Sequence, residues 1–190
     1  MAEITEIRWH GRGGQGAKTV ALLFADAALA TGKQIQAFPE YGPERMGAPV
    51  RSFNRLSDGP ITLHCSVDSP SIVIVLDETL CKSVDVTAGL PKDGILLINT
   101  AKNAAYFKEL LKFSGKVYAV DASQIAIQEI GMNKPNTPML GALVKASGIL
   151  DFDKMIQDTE QKLAKKFAHK PEVIKGNVNA IKRAYAEVKS

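Results

Sequence analysis

The residues best suited to chemistry are gathered between His10 and Lys18, where Gly11, Gly13 and Gly16 keep the spacing G-x-G-x-x-G, with Arg12, Gly14 and Gln15 set among them. Glycines at these positions let a strand-to-helix turn tighten and bring backbone N–H groups close to an anion, and the helix that follows adds its partial positive charge. Arg12 and Lys18 flank the turn and Gln15 sits at the helix start, so the three could join the amides in holding a phosphate or carboxylate. Three readings of the turn stay open: a dinucleotide site, a site for another anion, and a tight turn with no ligand. A dinucleotide also needs an acid at the end of the second strand to hold a ribose hydroxyl. Phe38 and Pro39 stand there instead, with Glu40 just beyond in a loop.

Other residues with chemical potential do not converge by spacing. Asp77 and Glu78 are neighbours on an extended stretch, so they point to opposite sides, and Asp77 or Thr79 is expected to cap a helix. His10 titrates near neutrality in water, yet no Ser or Cys nucleophile stands at a diagnostic distance, and it is expected as a structural hydrogen-bonder. His64 and His169 carry no ligand spacing. Cys65 and Cys81 form no C-x-x-C unit and are expected as reduced, buried thiols. Neither a metal site nor a catalytic group is therefore expected in this chain. Glu40, Glu44 and Arg45 lie beside Tyr41 in the stretch "PEYGPERMGAP", where prolines lower the entropy lost when a loop docks on a neighbour. Arg51 and Arg55 read as outward charges of an edge strand, and Asn136 with Thr137 as caps ahead of Pro138.

The elements that must position these residues follow from periodicity. Ile7 and Trp9 mark a first strand, the glycines turn it, and "AKTVALLFADAALATG" is a helix stopped by Gly32. A short strand over 34–38 precedes the proline-rich loop. The runs 50–56 and 61–66 flank Asp58-Gly59 and predict an antiparallel hairpin. "SIVIVLD" has the continuous aliphatic character of a strand buried on both faces. A helix over 79–88, a strand over 94–99, a helix over 103–112 and a strand over 116–121 continue the alternation. Three helical stretches follow, opened by Asp121, by Thr137-Pro138 and by the stripe Phe152, Met155, Ile156, Leu163, and a fourth runs through Val178, Ile181 and Tyr185. The expected fold is α/β: one Rossmann-like three-layer domain over 1–190, with a mostly parallel sheet, an antiparallel hairpin and C-terminal helices.

With 45% hydrophobic and 23% charged residues the chain has the composition of a folded domain. Its net charge of +4 is spread rather than clustered, which argues against a nucleic-acid footprint. No window approaches the ~18 apolar residues of a membrane span, and the acidic "MAEITEIRWHG" lacks the basic start and apolar run of a signal peptide, so a cytoplasmic protein is expected.

The segments "HGRGGQGAKT", "FPEYGPERMGAPVRSFNR", "VLDETL", "GILLINT" and "PNTPMLGALVKASGI" resemble the gamma subunits of 2-oxoacid:ferredoxin oxidoreductases, on the pyruvate:ferredoxin oxidoreductase (pyruvate synthase) branch. The resemblance implies a hetero-oligomer that decarboxylates a 2-oxoacid on thiamine diphosphate with Mg2+, passes electrons through 4Fe-4S clusters to ferredoxin and transfers the acyl group to coenzyme A. It places the thiamine site in the alpha and beta subunits and the clusters in beta and delta, leaving this chain as an accessory subunit. It makes coenzyme A the phosphate-bearing candidate for Gly11, Arg12, Gly13, Gly14, Gln15, Gly16 and Arg45. An isolated chain is expected to pair with itself through the surface meant for its partners. The alternative is a free-standing Rossmann-type oxidoreductase that uses the glycine turn for its own nucleotide.

Overall fold

The computed structural model describes residues 3–40 and 46–190. Six strands form one sheet: β1 (Ile4–Arg12), β2 (Gln34–Pro39), β3 (Pro49–Ser57), β4 (Ile72–Val75), β5 (Ile95–Asn99) and β6 (Lys116–Val120). Their order is β2-β3-β1-β4-β5-β6; β1, β4, β5 and β6 run parallel, and β3 is antiparallel to both β1 and β2. The helices are α1 (Ala17–Ala30), α2 (Leu80–Ser83), α3 (Ala104–Leu110), α4 (Ala122–Ile130), α5 (Asn136–Ser147), α6 (Phe152–Lys166) and α7 (Pro171–Glu187).

Strand alternation distributes the core into two layers. Ile7, Trp9, Ile72, Ile74 and Leu97 point to the face covered by α1, α4, α5, α6 and α7. Val73, Val75, Leu96, Ile98, Val117 and Ala119 point to the opposite face, packed with Leu80, Cys81 and Phe107 of α2 and α3. With both faces covered, the central strands are continuous apolar runs, as their sequence predicts. Helix α1 is tied to the sheet by a buried polar bridge: Trp9 Nε1 donates to Asn54 Oδ1 at 2.8 Å, and Asn54 Nδ2 donates to the Ala21 carbonyl at 2.9 Å.

The antiparallel hairpin exists, but between other strands than expected. β3 pairs with β1 on one side and β2 on the other, so both its edges are used and 61–66 has nowhere to add. That segment runs irregularly across the second face, and side chains meet its carbonyls in place of a ladder. Arg55 donates to Cys65 O at 2.7 Å and Ser66 O at 3.0 Å, and Gln36 Nε2 to Leu63 O at 3.1 Å. Arg55 is thus not an edge charge. It is 1% exposed and its Nε donates to Glu6 Oε1 at 2.7 Å. Arg8, buried beside it on β1, does the same for the turn at 84–89, donating to Val86 O and Ala88 O at 3.1 and 2.6 Å. Two arginines fasten irregular chain over the part of the sheet where charged strand residues leave no apolar seat for a helix.

Smaller differences have local causes. The helix expected over 79–88 closes after Ser83, where the backbone turns extended at Val84. α5 begins at Asn136 with Pro135 as its cap residue, so Thr137 lies inside the helix, buried, rather than capping it. Asp121 caps α4 as expected, accepting from Gln124 N at 2.9 Å, and Gly148 ends α5 in the left-handed conformation. Cys65 is exposed and only Cys81 is buried; burial pushes the Cys81 thiol up to about 11. Among the described residues no helix is long and apolar enough to cross a membrane.

Replacing Arg55 with Ala should destabilise the fold by about 3–5 kcal/mol, because Glu6 and three backbone carbonyls lose a buried donor. Urea unfolding of the two proteins measures this; a loss below ~1 kcal/mol would show that the 61–66 segment is held by something else.

Candidate functional site

The glycine turn continues β1, and its polar groups are mostly spent inside the molecule. Gly13 N donates to Ala48 O at 2.9 Å, Gly47 N donates to Gly13 O at 3.1 Å, and Gln15 N donates to Arg12 O at 2.9 Å. Gln15 does not cap the helix: its Oε1 accepts from Arg12 N at 2.8 Å and its Nε2 donates to Asp77 Oδ2 at 2.8 Å. Arg12 is likewise no free surface cation. Nε donates to Asp77 Oδ2 at 3.1 Å, Nη1 to Gly47 O at 3.1 Å and Nη2 to Thr79 Oγ1 at 2.7 Å. The guanidinium therefore locks three chain segments together: the end of β1, the residues just before β3, and the turn after β4.

Asp77 is the hub opposite it. Its Oδ1 accepts from Thr79 N at 2.9 Å and from Thr79 Oγ1 at 2.6 Å, closing an Asx turn, while Oδ2 faces Arg12 and Gln15. Burial pushes its pKa up, but hydrogen bonds from Thr79 and Gln15 and the Arg12 charge outweigh that and hold the carboxyl below its ordinary value. Glu78 turns the other way, to Lys102 Nζ at 2.8 Å and to the Thr100 hydroxyl, so the two acids belong to separate networks.

Two hollows flank this lock at the carboxyl ends of the parallel strands, where open α/β sheets bind ligands. One, of about 320 Å³, is lined by Asp77, Glu78, Asp121, Asn99 and Ser123 and is acidic. The other, of about 560 Å³, runs from Arg12, Gly13, Gly14 and Gly16 along Lys18 and Thr19 to Glu40, Met46 and Arg51. Three cations against one acid make the second hollow the one suited to an anion. Gly14 and Gly16 carry φ values of 94° and 83°, and no acceptor faces their amides among the described residues. At Gly16 a Cβ would also come within 2.9 Å of Asn136 Nδ2, so the turn is pressed against the start of α5.

Of the residues expected at a site, Gly11, Arg12, Gly13, Gly14, Gln15 and Gly16 do meet there; Arg45, with Tyr41 and Glu44, lies outside the described residues. Glu40 is engaged by Arg51 through both carboxylate oxygens, Nη2 to Oε1 at 2.6 Å. β2, which should present a ribose-binding acid beside β1, is separated from it by β3. The geometry of a dinucleotide site is therefore not present. Asp77, Thr79 and Gly47 are the members that sequence reasoning missed, because their partnership with Arg12 spans 35 to 67 positions of chain.

His10, next to the turn, is 4% exposed, and its Nε2 has no hydrogen-bond partner, contrary to the structural bond expected of it. Burial, then the charges of Arg8 and Arg51, push its pKa from 6.5 down to about 3. The imidazole is neutral across the physiological range. None of the described histidines is hydrogen-bonded to a Ser, Thr or Cys hydroxyl or thiol.

The profile of the pyruvate ferredoxin/flavodoxin oxidoreductase family matches residues 6–187. The chain belongs to this family. Among its relatives, pyruvate synthase subunit PorC of Thermotoga maritima is 50% identical over 184 residues, covering 97% of this chain and 94% of that protein. The common gamma subunit of the pyruvate/ketoisovalerate oxidoreductases of Pyrococcus abyssi is 47% identical over 158 residues, 81% of this chain and 85% of the other. The crystal structure of pyruvate oxidoreductase subunit PORC from Thermotoga maritima superposes with a TM-score of 0.86 at 47% identity, covering 98% of both chains. The mixed sheet with its inserted antiparallel strand is thus the fold of this family's subunit.

His10 generates a pH test. The unfolded chain takes up a proton near pH 6.5 that the folded one refuses until about 3, so folding stability is complete above 6.5 and is lost as pH falls. The difference in unfolding free energy between the native protein and His10→Gln should fall by up to about 1.4 kcal/mol per pH unit between pH 6 and 4. Denaturant titrations at several pH values read it; a pH-independent difference would contradict the buried neutral imidazole.

Proposed function

We propose that this chain is the gamma subunit of a multi-subunit pyruvate:ferredoxin oxidoreductase, a pyruvate synthase, which interconverts pyruvate, coenzyme A and oxidised ferredoxin with acetyl-CoA, CO2 and reduced ferredoxin. The observation that carries this reading is kinship with PorC at 50% identity over 97% of this chain and 94% of that protein. The role is accessory: thiamine diphosphate with Mg2+ and the 4Fe-4S clusters belong to alpha, beta and delta partners, the assembly works in the cytoplasm, and this chain, one gamma-type domain over 1–190, docks on those larger chains. A gamma subunit common to pyruvate and ketoisovalerate oxidoreductases in a relative supports the same division, since a shared chain does not select the 2-oxoacid.

Within that role the cationic hollow is the seat for the phosphates of coenzyme A. The N-terminus of α1, the amides of Gly14 and Gly16, and the charges of Lys18 and Arg51 suit a phosphate at that place. Arg12 contributes by shaping the turn.

The assembled complex, purified with this chain, should reduce a one-electron acceptor in the presence of a 2-oxoacid and coenzyme A, with pyruvate the preferred member of a panel. Lys18→Glu puts a carboxylate at a helix start, where the dipole tolerates it, and directly in the path of a phosphate. It should raise the KM for coenzyme A roughly tenfold or more, about 1.4 kcal/mol, leaving assembly and the KM for pyruvate unchanged. An unchanged KM for coenzyme A would remove the hollow from consideration. Turnover by the isolated chain would overturn the accessory role itself.

A further inference from the structure

The two edges of the sheet are finished differently. At β6 the chain covers its own edge: Ala119 N donates to Lys189 O at 2.8 Å, and Lys189 N donates to Ala119 O at 3.0 Å. At β2 no strand or bridge lies on the outer side among the described residues. The register fixes which groups this leaves. Glu40 N donates to Arg51 O at 3.1 Å, so the even positions Gln34, Gln36 and Phe38 turn their amides to β3, and the odd positions Ile35 and Ala37 turn theirs outward. Pro39, which has no N–H, ends the row.

An open edge is ordinarily guarded by a charge within the strand, and QIQAFP has none. Apolar side chains border it on both faces instead. Helix α1 packs over β2 and β3 and carries Leu22 and Leu29, 47% and 56% exposed and two turns apart. Across the sheet Leu63 is 40% exposed, its carbonyl held by Gln36 Nε2 at 3.1 Å. Charges stand at the ends: Lys33, paired with Asp58, before the strand, and Glu40, paired with Arg51, after it. A strand positive at its start and negative at its end is complementary to itself when turned antiparallel, and an uncharged middle brings no like charges together on a two-fold axis.

We infer that β2 is the contact between two copies of this chain, joined antiparallel about a two-fold axis at Gln36, so that the two six-stranded sheets become one. In that register Ile35 faces Ala37 of the second copy, and the amide and carbonyl of each exchange hydrogen bonds. The Lys33 end of one strand meets the Glu40 end of the other. Leu22 and Leu29 flank the new pair on one face and Leu63 on the other. The inference goes beyond the gamma-subunit reading and does not depend on it.

The test uses the full chain alone. Sedimentation equilibrium at about 50 µM should give a dimer. In that dimer the amides of Ile35 and Ala37 should exchange hydrogen roughly tenfold slower, or more, than after dilution to monomer, whereas those of Gln36 and Phe38 stay protected in both. Ala37→Pro deletes one outward donor, and Leu22→Glu combined with Leu29→Glu charges the apolar border. Each should raise the dimer dissociation constant roughly tenfold or more, with circular dichroism of the diluted chain unchanged. A monomer at that concentration overturns the inference, and so does a dimer whose Ile35 and Ala37 amides exchange as freely as in the diluted chain. Should Ala37→Pro fail to fold, the exchange pattern of the unmodified chain decides by itself. Either failure leaves the gamma-subunit role standing, because that role rests on kinship with PorC.

Discussion

A backbone amide donates one good hydrogen bond, so each N–H at the end of β1 is spent on the chain's own oxygens or left to solvent or a ligand. In this protein the choice is divided along the turn. The amides of Arg12, Gly13 and Gln15 are committed to Gln15, Ala48 and Arg12, and they fix the turn's shape. Gly14 and Gly16 line the hollow, with no acceptor for their amides among the described residues. Much of the surrounding structure depends on that commitment, because it ties the loop after β2 and the turn after β4 to the same few atoms.

Asp77 makes the arrangement electrically self-consistent. It supplies the negative charge that a guanidinium needs when it is only partly open to water, and it does so from the end of a neighbouring parallel strand. The acids Glu78 and Asp121 follow the same logic in the adjoining hollow, where helix starts and a lysine neutralise them. One hollow is thereby lined mainly by acids, the other mainly by cations. A fold usually associated with nucleotide binding has kept its glycine turn while changing what stands next to it: the antiparallel β3 occupies the place where a dinucleotide fold puts its second parallel strand.

That insertion also explains the unusual second face of the sheet. β3 and β1 bring Arg55, Arg8, Glu6 and His10 to a surface that central α/β strands normally fill with aliphatic side chains. Covering it with irregular chain exposes carbonyls to the interior, and the arginines satisfy them. His10 has no such partner and stays uncharged instead, which is what desolvation demands of an imidazole between two cations.

Local pattern was enough for most elements: the aliphatic runs of β4, β5 and β6, the glycine turn into α1, the Asp121 cap and the Gly148 stop are each decided by residues within a few positions of one another. The resemblance carried by "GRGGQG" and "PNTPML" likewise needs no coordinates. What the sequence could not decide is who pairs with whom. Asp58-Gly59 is a sound hairpin signal, yet β3 already has partners on both edges, and strand pairing is a competition settled by the whole sheet. The same holds for Arg12, Asp77, Thr79 and Gly47. Their types announce polarity, but only the fold brings groups dozens of residues apart within 3.1 Å, and hydrogen bonds act at that range and not along the chain.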